Sequence, residues 1–257
     1  MKQISKIATL ALAAALILAG KNALATPVSL ELALLVDVSG SVNGTEFNLQ
    51  KTGYVNAFNN SGIQAAIAAL PGGIAVTYIE WSSSNRQSIQ VGWTNVTDAT
   101  SAAGFASAIS ASTRAFSGST APGTAINFAT PLFSDNGFEA ARWVIDVSGD
   151  GIQNNGANTA TARDNFLNIS APAGEGLTRA INGLPIGNVT LQNWYQDNVV
   201  GGDNSFLIAV SDFAGFEDAV LQKIGREIRN EVPEPAPLAL LFAGLMAFAF
   251  MRRSHTA

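Results

Sequence analysis

The feature that most limits the fold of this sequence is a nearly continuous apolar run from Leu30 to Val38. A strand that is apolar on both faces has to be covered on both faces, as a central strand of a parallel sheet is. Further strand-like runs lie at 74–81, 142–148 and 206–210, with a weaker one at 184–186. The run 89–93 follows a polar turn at 82–86, which predicts a hairpin with the strand before it.

Segments with helical spacing of apolar residues alternate with these strands. They lie at 46–60, 63–70, from Thr97 or Asp98 onward, 123–133, 159–168 and 213–231. The last is the most regular, since Phe216, Val220, Ile224 and Ile228 fall on one helical face. Buried strands alternating with helices predict an α/β fold of three layers: a Rossmann-like, mainly parallel central sheet with helices on both faces.

The start of the chain has the layout of a secretory signal peptide. Lys2 and Lys6 precede an apolar run at 7–19, and Ala23-Leu24-Ala25 forms a small-x-small site. We therefore expect residues 1–25 to be removed on export, with cleavage after Ala25. A membrane anchor is the alternative, but the run is short for a bilayer span.

The end of the chain resembles the PEP-CTERM sorting signal of Gram-negative bacteria over residues 232–257. Pro233-Glu234-Pro235 is followed by an apolar stretch at 238–251 and then by Arg252 and Arg253. The resemblance implies recognition and cleavage by an exosortase, with transient contact between the inner membrane and the C-terminal transmembrane helix. Release to the cell surface or the extracellular space would follow. The alternative is a plain C-terminal membrane anchor, for which the apolar stretch is short.

The part between these ends, residues 26–231, has the size of one domain. Residues 26–232 carry 18 acidic against 9 basic side chains, a formal charge of −9, compared with −5 for the whole chain. An acidic domain with scattered basic residues is a poor partner for nucleic acid. The chain has no cysteine, so its stability has to come from its core rather than from disulfides.

Oxygen-bearing side chains follow two of the predicted strands. Asp37, Ser39 and Ser41 come directly after the first strand, and Asp150 follows the strand 142–148. Ligands of open parallel sheets bind at the carboxyl ends of strands, where such residues converge. Carboxylate and hydroxyl oxygens suit Mg²⁺, Mn²⁺ or Ca²⁺ rather than zinc. The loop 117–120, which precedes a predicted helix, brings a further candidate, Thr120.

These residues resemble the metal-ion-dependent adhesion site (MIDAS) of von Willebrand factor A domains. That motif has Asp-x-Ser-x-Ser, a threonine in a glycine-rich loop and an aspartate after a later strand. The resemblance implies five site residues: Asp37, Ser39, Ser41, Thr120 and Asp150. It also implies that the hydroxyls coordinate the cation directly or through water, that the carboxylates hold bound waters, and that an open position accepts an acidic side chain of a partner protein.

The threonine loop departs from the motif, because the usual Gly-Gly-Thr is Gly118-Ser119-Thr120 here. Thr124 is therefore a second candidate for the threonine ligand, and Asp146 is a rival for Asp150.

Asn154-Asn155-Gly156 is either a second cation site or an ordinary Asn/Gly turn. Glu80-Trp81 and Trp93 are either a partner-binding surface or strand residues of the core.

A closer resemblance is to a bacterial von Willebrand A-like family that is defined only as a domain of unknown function. Its pattern occurs here at 36–42, 78–82, 144–151, 181–186 and 195–202, so the resemblance covers nearly all of 28–231.

Several enzyme classes are excluded by residue type. The single histidine, His255, lies in the tail that we expect to be removed, and cysteine is absent. Ser-His-Asp and Cys-His mechanisms are thus excluded for the mature domain, and no Walker loop is present. A metal-dependent hydrolase would have to use Glu80 or a site aspartate as its base. We therefore expect a metal-dependent protein-binding domain; the alternative without metal is a structural matrix protein of the same fold.

Overall fold

The computed structural model describes residues 25–169 and 176–230, so the predicted signal peptide and sorting tail lie outside the described residues. The strands are β1 (Thr26–Val28), β2 (Leu30–Asp37), β3 (Ile74–Trp81), β4 (Gln87–Val96), β5 (Phe138–Ala140), β6 (Arg142–Gly149), β7 (Thr178–Pro185) and β8 (Gly201–Gly202). The helices are α1 (Gly44–Asn59), α2 (Ser61–Ala68), α3 (Ala99–Ala111), α4 (Pro122–Ala129), α5 (Thr159–Leu167), α6 (Val189–Asn198) and α7 (Phe216–Arg229).

The main sheet has six strands in the order β4-β3-β2-β6-β7-β8. Strands β3, β2, β6 and β7 are parallel to their neighbours in this group, and the edge strands β4 and β8 pair antiparallel. All eight residues of β2 are buried, as expected for the central strand. The predicted α/β fold with a mainly parallel sheet is therefore confirmed, and so is the hairpin of β3 with β4.

The core consists of one apolar cluster on each face of the sheet. Side chains of β2 alternate between them, so Leu32 and Leu34 belong to one cluster, and Ala33 and Leu35 to the other. The first cluster packs against α1, α2, α3 and α7, and the second against α4, α5 and α6. This is the period of two that a strand covered by helices on both faces requires.

Several segments differ from the sequence prediction. Helix α6 was not predicted, because its only buried residues are Leu191 and Tyr195 and its apolar periodicity is correspondingly weak. Strand β7 begins six residues earlier than 184, where buried Asn182 interrupts the apolar pattern. The run 206–210 is not a regular strand, since it meets β7 only through the bridges Gly183–Leu207 and Ile186–Val210. The pairing of β1 with β5 was also not predicted.

The sheet topology brings the carboxyl ends of β2 and β6 side by side. The chain runs from β2 outward to β3 and β4, then returns to the other side of β2 as β6. Val36 pairs with Ser148, so Asp37 lies beside Gly149 and the loops that follow both strands meet. This is the switch point at which open α/β sheets bind ligands. In the two described ranges, no helix has the length and apolar character required to cross a membrane.

Candidate metal centre

The five site residues predicted from the sequence form one hydrogen-bonded cluster at the carboxyl ends of β2 and β6. The Ser41 hydroxyl donates to Asp150 Oδ1 at 2.6 Å and lies 3.1 Å from Ser39 Oγ. The Thr120 hydroxyl donates to Ser39 Oγ at 3.5 Å. The amide of Ser39 donates to Asp37 Oδ1 at 2.7 Å. Two carboxylates and three hydroxyls thus converge from three separate loops.

The loop that carries Ser39 and Ser41 is held by its backbone. The Gly40 amide donates to the Gly118 carbonyl at 2.7 Å, and a Cβ on Gly40 would lie only 3.2 Å from that oxygen. A residue without a side chain permits this approach. From the other side, the Arg114 guanidinium donates to the carbonyls of Val38 and Ser39, both at 2.8 Å. These contacts fix where the two hydroxyls point.

The threonine loop is braced by the Asn/Gly turn. The Thr120 amide donates to Asn154 Oδ1 at 2.9 Å, and the amides of Asn154 and Asn155 donate back to the Thr120 carbonyl. Asn155 Oδ1 accepts from the Ser84 amide at 2.8 Å. Both side-chain oxygens of this turn therefore serve the backbone, which favours the turn interpretation over a second cation site.

The alternative candidates lie apart from the cluster. Thr124 accepts from the Ala157 amide at 2.9 Å, and Asp146 contacts Lys223 in the core. Glu80 is buried and accepts from the Ala115 amide at 2.7 Å. Trp81 is buried and Trp93 donates to the Leu132 carbonyl; the core interpretation of these strand residues is the one that fits.

Asp37 has the least solvated carboxylate of the cluster. Its side chain is fully buried, and its Oδ2 has no hydrogen-bond partner among the described residues. Burial raises the pKa of Asp37 to about 7, the Ser39 amide opposes this shift, and the charge of Asp150 adds to it. Burial likewise raises the pKa of Asp150, while its hydrogen bond from Ser41 lowers it.

These residues fit a hard divalent cation. A buried carboxylate oxygen without a donor costs free energy, and a cation or its bound water supplies the missing positive partner. Within the described ranges, no group of three or more His, Cys, Asp or Glu side chains converges. A cation here would thus depend on the hydroxyl oxygens as well as on Asp37 and Asp150, which suits Mg²⁺, Mn²⁺ or Ca²⁺.

The raised pKa of Asp37 predicts an unusual pH dependence for the metal-free protein. Between 3.8, the usual pKa, and about 7, the folded state binds a proton that the unfolded state has released. The free energy of unfolding should therefore fall as the pH rises through this range. Urea unfolding in EDTA at about pH 5 and about pH 8 measures this, and Asp37→Asn should make the slope shallower without abolishing it, because burial raises the pKa of Asp146 to about 7 as well. An equal slope in the variant would contradict the assignment.

Sequence reasoning missed the residues that hold the cluster in place. Arg114 and Gln50, which donates to the Asp37 carbonyl at 3.1 Å, are far from the motif in sequence and resemble ordinary helix and loop residues. Tyr195 is a further example: its hydroxyl and Asp37 Oδ2 both lie within 2.8 Å of the position that a Cβ would take on Gly149. The one available signal was the presence of Tyr195 in the family pattern at 195–202.

Comparison with solved structures shows similarity to a matrix protein of the mussel byssus and to a bacterial pilus adhesin. Proximal thread matrix protein 1 of the mussel byssus is 16% identical with a TM-score of 0.55, over 79% of this chain and 47% of that one. Its form with a zinc-occupied MIDAS motif is 18% identical with a TM-score of 0.52, over 78% of this chain and 47% of that one. The pilus adhesin SpaC of Lactobacillus rhamnosus GG is 14% identical with a TM-score of 0.51, over 79% and 31%.

This chain thus spans less than half the length of these proteins, and at such identities the similarity shows the fold alone. The comparison with curated proteins gives no match. The family model described as "Protein of unknown function (DUF1194)" matches residues 27–232, which is most of the chain. The chain therefore belongs to the DUF1194 family, and its domain has a von Willebrand factor A-like fold.

Proposed function

We propose that this protein is an exported binding domain that uses a divalent cation to grip an acidic side chain of a partner protein. The observation that carries the proposal is the buried Asp37 carboxylate, whose Oδ2 has no hydrogen-bond partner among the described residues, beside three converging hydroxyls. Such an arrangement is costly in a purely structural turn, because unsatisfied buried polar atoms destabilise the folded state. A bound cation removes that cost.

In this proposal each residue has a separate role. The hydroxyls of Ser39, Ser41 and Thr120 hold the cation, directly or through water, while Asp37 and Asp150 supply negative charge. The bound cation provides an open coordination position for a carboxylate. The domain itself carries a formal charge of −9 over 26–232 and would repel an acidic partner, so attraction at this point depends on the cation.

The comparisons support binding in preference to catalysis. One similar structure is a matrix protein and another is a pilus adhesin, and the mussel protein has been solved with zinc in its MIDAS motif. Those roles belong to those proteins. They make Zn²⁺ worth testing here beside the harder ions that the oxygen ligands favour.

Export and sorting rest on the sequence of the two ends. The N-terminal pattern ending at Ala25 and the Pro233-Glu234-Pro235 tail support secretion, processing by an exosortase and a final position at the cell surface or outside the cell.

Calorimetric titration of the metal-free protein with Mg²⁺, Mn²⁺, Ca²⁺ and Zn²⁺ tests the cation site. We expect at least one ion to bind, and Asp37→Asn to weaken its affinity by roughly 10- to 100-fold, the usual loss when a site's supporting carboxylate is removed. Asp197→Asn is the matched control, because Asp197 is exposed on α6 and should bind as the parent does. Absence of binding by all four ions would refute the proposal.

A structural matrix protein of the same fold, without metal, is the second candidate. The hydrogen bond from the Ser41 hydroxyl to Asp150 Oδ1 at 2.6 Å favours it, because this bond pairs a hydroxyl and a carboxylate of the cluster with each other without a cation. A melting temperature that neither EDTA nor added cation changes would support this candidate, since a ligand that binds the folded state raises the melting temperature.

A further inference from the structure

A second group of ionisable side chains lies deep in the core, away from the cation cluster. Lys223 and Glu227 come from α7, and Asp146 comes from the middle of β6. The exposed fractions of Lys223 and Asp146 are 0% and that of Glu227 is 1%. Lys223 Nζ is in direct contact with Asp146 Oδ1 and donates to Glu227 Oε1 at 2.8 Å.

This group is poorly arranged for an ordinary ion pair. Lys223 Nζ contacts Asp146 Oδ1, but Asp146 Oδ2 has no hydrogen-bond partner among the described residues. A buried ion pair offsets the loss of hydration only when its geometry is good and its remaining lone pairs are satisfied. Here one amine also faces two carboxyl groups. Burial, aided by the charge of Glu227, raises the pKa of Asp146 to about 7, which favours its neutral acid form.

We propose that Lys223 and Asp146 condense to form an intramolecular amide bond between α7 and β6. Transfer of one proton from Lys223 to Asp146 within the contact gives an amine and a carboxylic acid. Nζ then attacks the Asp146 carboxyl carbon, so that a C–N bond forms and the C–OH bond breaks. Glu227 accepts a proton from Nζ and passes it to the leaving hydroxyl, which departs as water. The reaction is a condensation without redox change and requires no other reactant.

Glu227 is suitably placed to relay the proton. Its Oε1 is the atom that accepts from Lys223 Nζ, and the same oxygen accepts from Asn182 Nδ2 at 2.9 Å. Asn182 is itself held, because its Oδ1 accepts from the Phe206 amide at 3.0 Å. The relay carboxylate is therefore fixed against the reacting amine, as a general acid–base group has to be.

The amide product suits the core better than the ions do. Condensation replaces one buried cation and one buried anion by a neutral group, whose N–H can keep the hydrogen bond to Glu227. Arg142 lies close to Glu227, because its guanidinium donates to the Glu227 carbonyl; burial lowers the pKa of Arg142, and the charge of Glu227 opposes that shift. A protein without cysteine would gain a covalent link between distant elements that reducing agents do not break.

The intact mass of the protein purified after expression of the full chain tests the proposal. It is compared with the mass calculated for the sequence between the N-terminus and the C-terminus that the purified protein is found to have. We expect a mass below the sequence mass by one water molecule. Trypsin should release peptide 143–163 joined to peptide 180–226, without cleavage after Lys223. Lys223→Arg and Glu227→Gln should both have their full sequence masses, whereas the control Lys51→Arg should still lack one water.

The peptide map separates this bond from other losses of water. A succinimide at Asp150-Gly151 would leave peptide 143–163 lighter by one water but unlinked, and this result would overturn the proposal. A parent protein with its full sequence mass would overturn it as well. The parent measurement is decisive even if the Lys223 and Glu227 variants fail to fold.

Discussion

Gly149→Ala is expected to weaken cation binding by at least about tenfold. Gly149 is the last residue of β6 and packs against β2. A Cβ at this position would lie 2.7 Å from the Tyr195 hydroxyl, 2.8 Å from Asp37 Oδ2 and 3.0 Å from Asp37 Cβ. These contacts are too close, so Asp37 has to move away from the place where it faces the hydroxyls. We also expect overpacking to lower the free energy of unfolding by about 1–3 kcal/mol.

Gly104→Ala is the matched control for this substitution. Gly104 lies within α3, and a Cβ there meets nothing within 4 Å. Alanine should stabilise the helix by about 0.5–1 kcal/mol and leave cation affinity unchanged. Calorimetric titration and urea unfolding of both variants provide the comparison. Parental affinity in a folded Gly149→Ala protein would show that Asp37 does not support the cation.

Phe58→Ala is expected to be among the most destabilising substitutions in the domain. Phe58 is fully buried near the end of α1, and its ring meets that of Phe105 edge-on with centroids 4.8 Å apart. Removal of a buried phenylalanine ring lowers the free energy of unfolding by about 3–5 kcal/mol through lost apolar burial and the cavity that remains. Loss of the edge-to-face contact contributes to this figure.

Leu49→Ala on the same helix is the control, because Leu49 is 41% exposed and should change stability by no more than about 0.5 kcal/mol. Urea unfolding measures both changes. Cation affinity in the folded Phe58→Ala protein should equal that of the parent, since the site lies at the other end of α1, beyond Asn43 and Glu46. A reduced affinity would mean that packing around Phe58 positions the site.

Much of the sheet could be predicted because a strand that is buried on both faces has a continuous run of apolar residues in the sequence. Strand β3 occupies the predicted 74–81, and β2 and β6 differ from the predicted bounds by one residue each. The errors occur where a buried residue is polar and is held by hydrogen bonds rather than by apolar packing. Asn182 is buried and donates to Glu227 while it accepts from the Phe206 amide. This polar residue interrupts the apolar run of β7, so the first part of that strand could not be predicted.

The candidate site shows the same division. Asp37, Ser39 and Ser41 were predictable as neighbours because they share one loop, and Asp150 followed from its place after a second central strand. In the sequence alone, only the motif favoured Thr120 over Thr124. The structure separates them, because the Thr120 hydroxyl donates to Ser39 while that of Thr124 accepts from the Ala157 amide.

The sequence by itself therefore determined the layered fold, the end of the sheet at which the oxygen-bearing side chains lie, and the absence of histidine and cysteine from the domain. These properties depend on local pattern and residue type. Only the tertiary structure decided that Arg114 holds the Asp37–Ser41 loop, that the Tyr195 hydroxyl lies close to Gly149 at the end of β6, and that Lys223 contacts Asp146. Each of these contacts joins residues far apart in the chain, and such pairings arise from packing of whole elements, which no local pattern records.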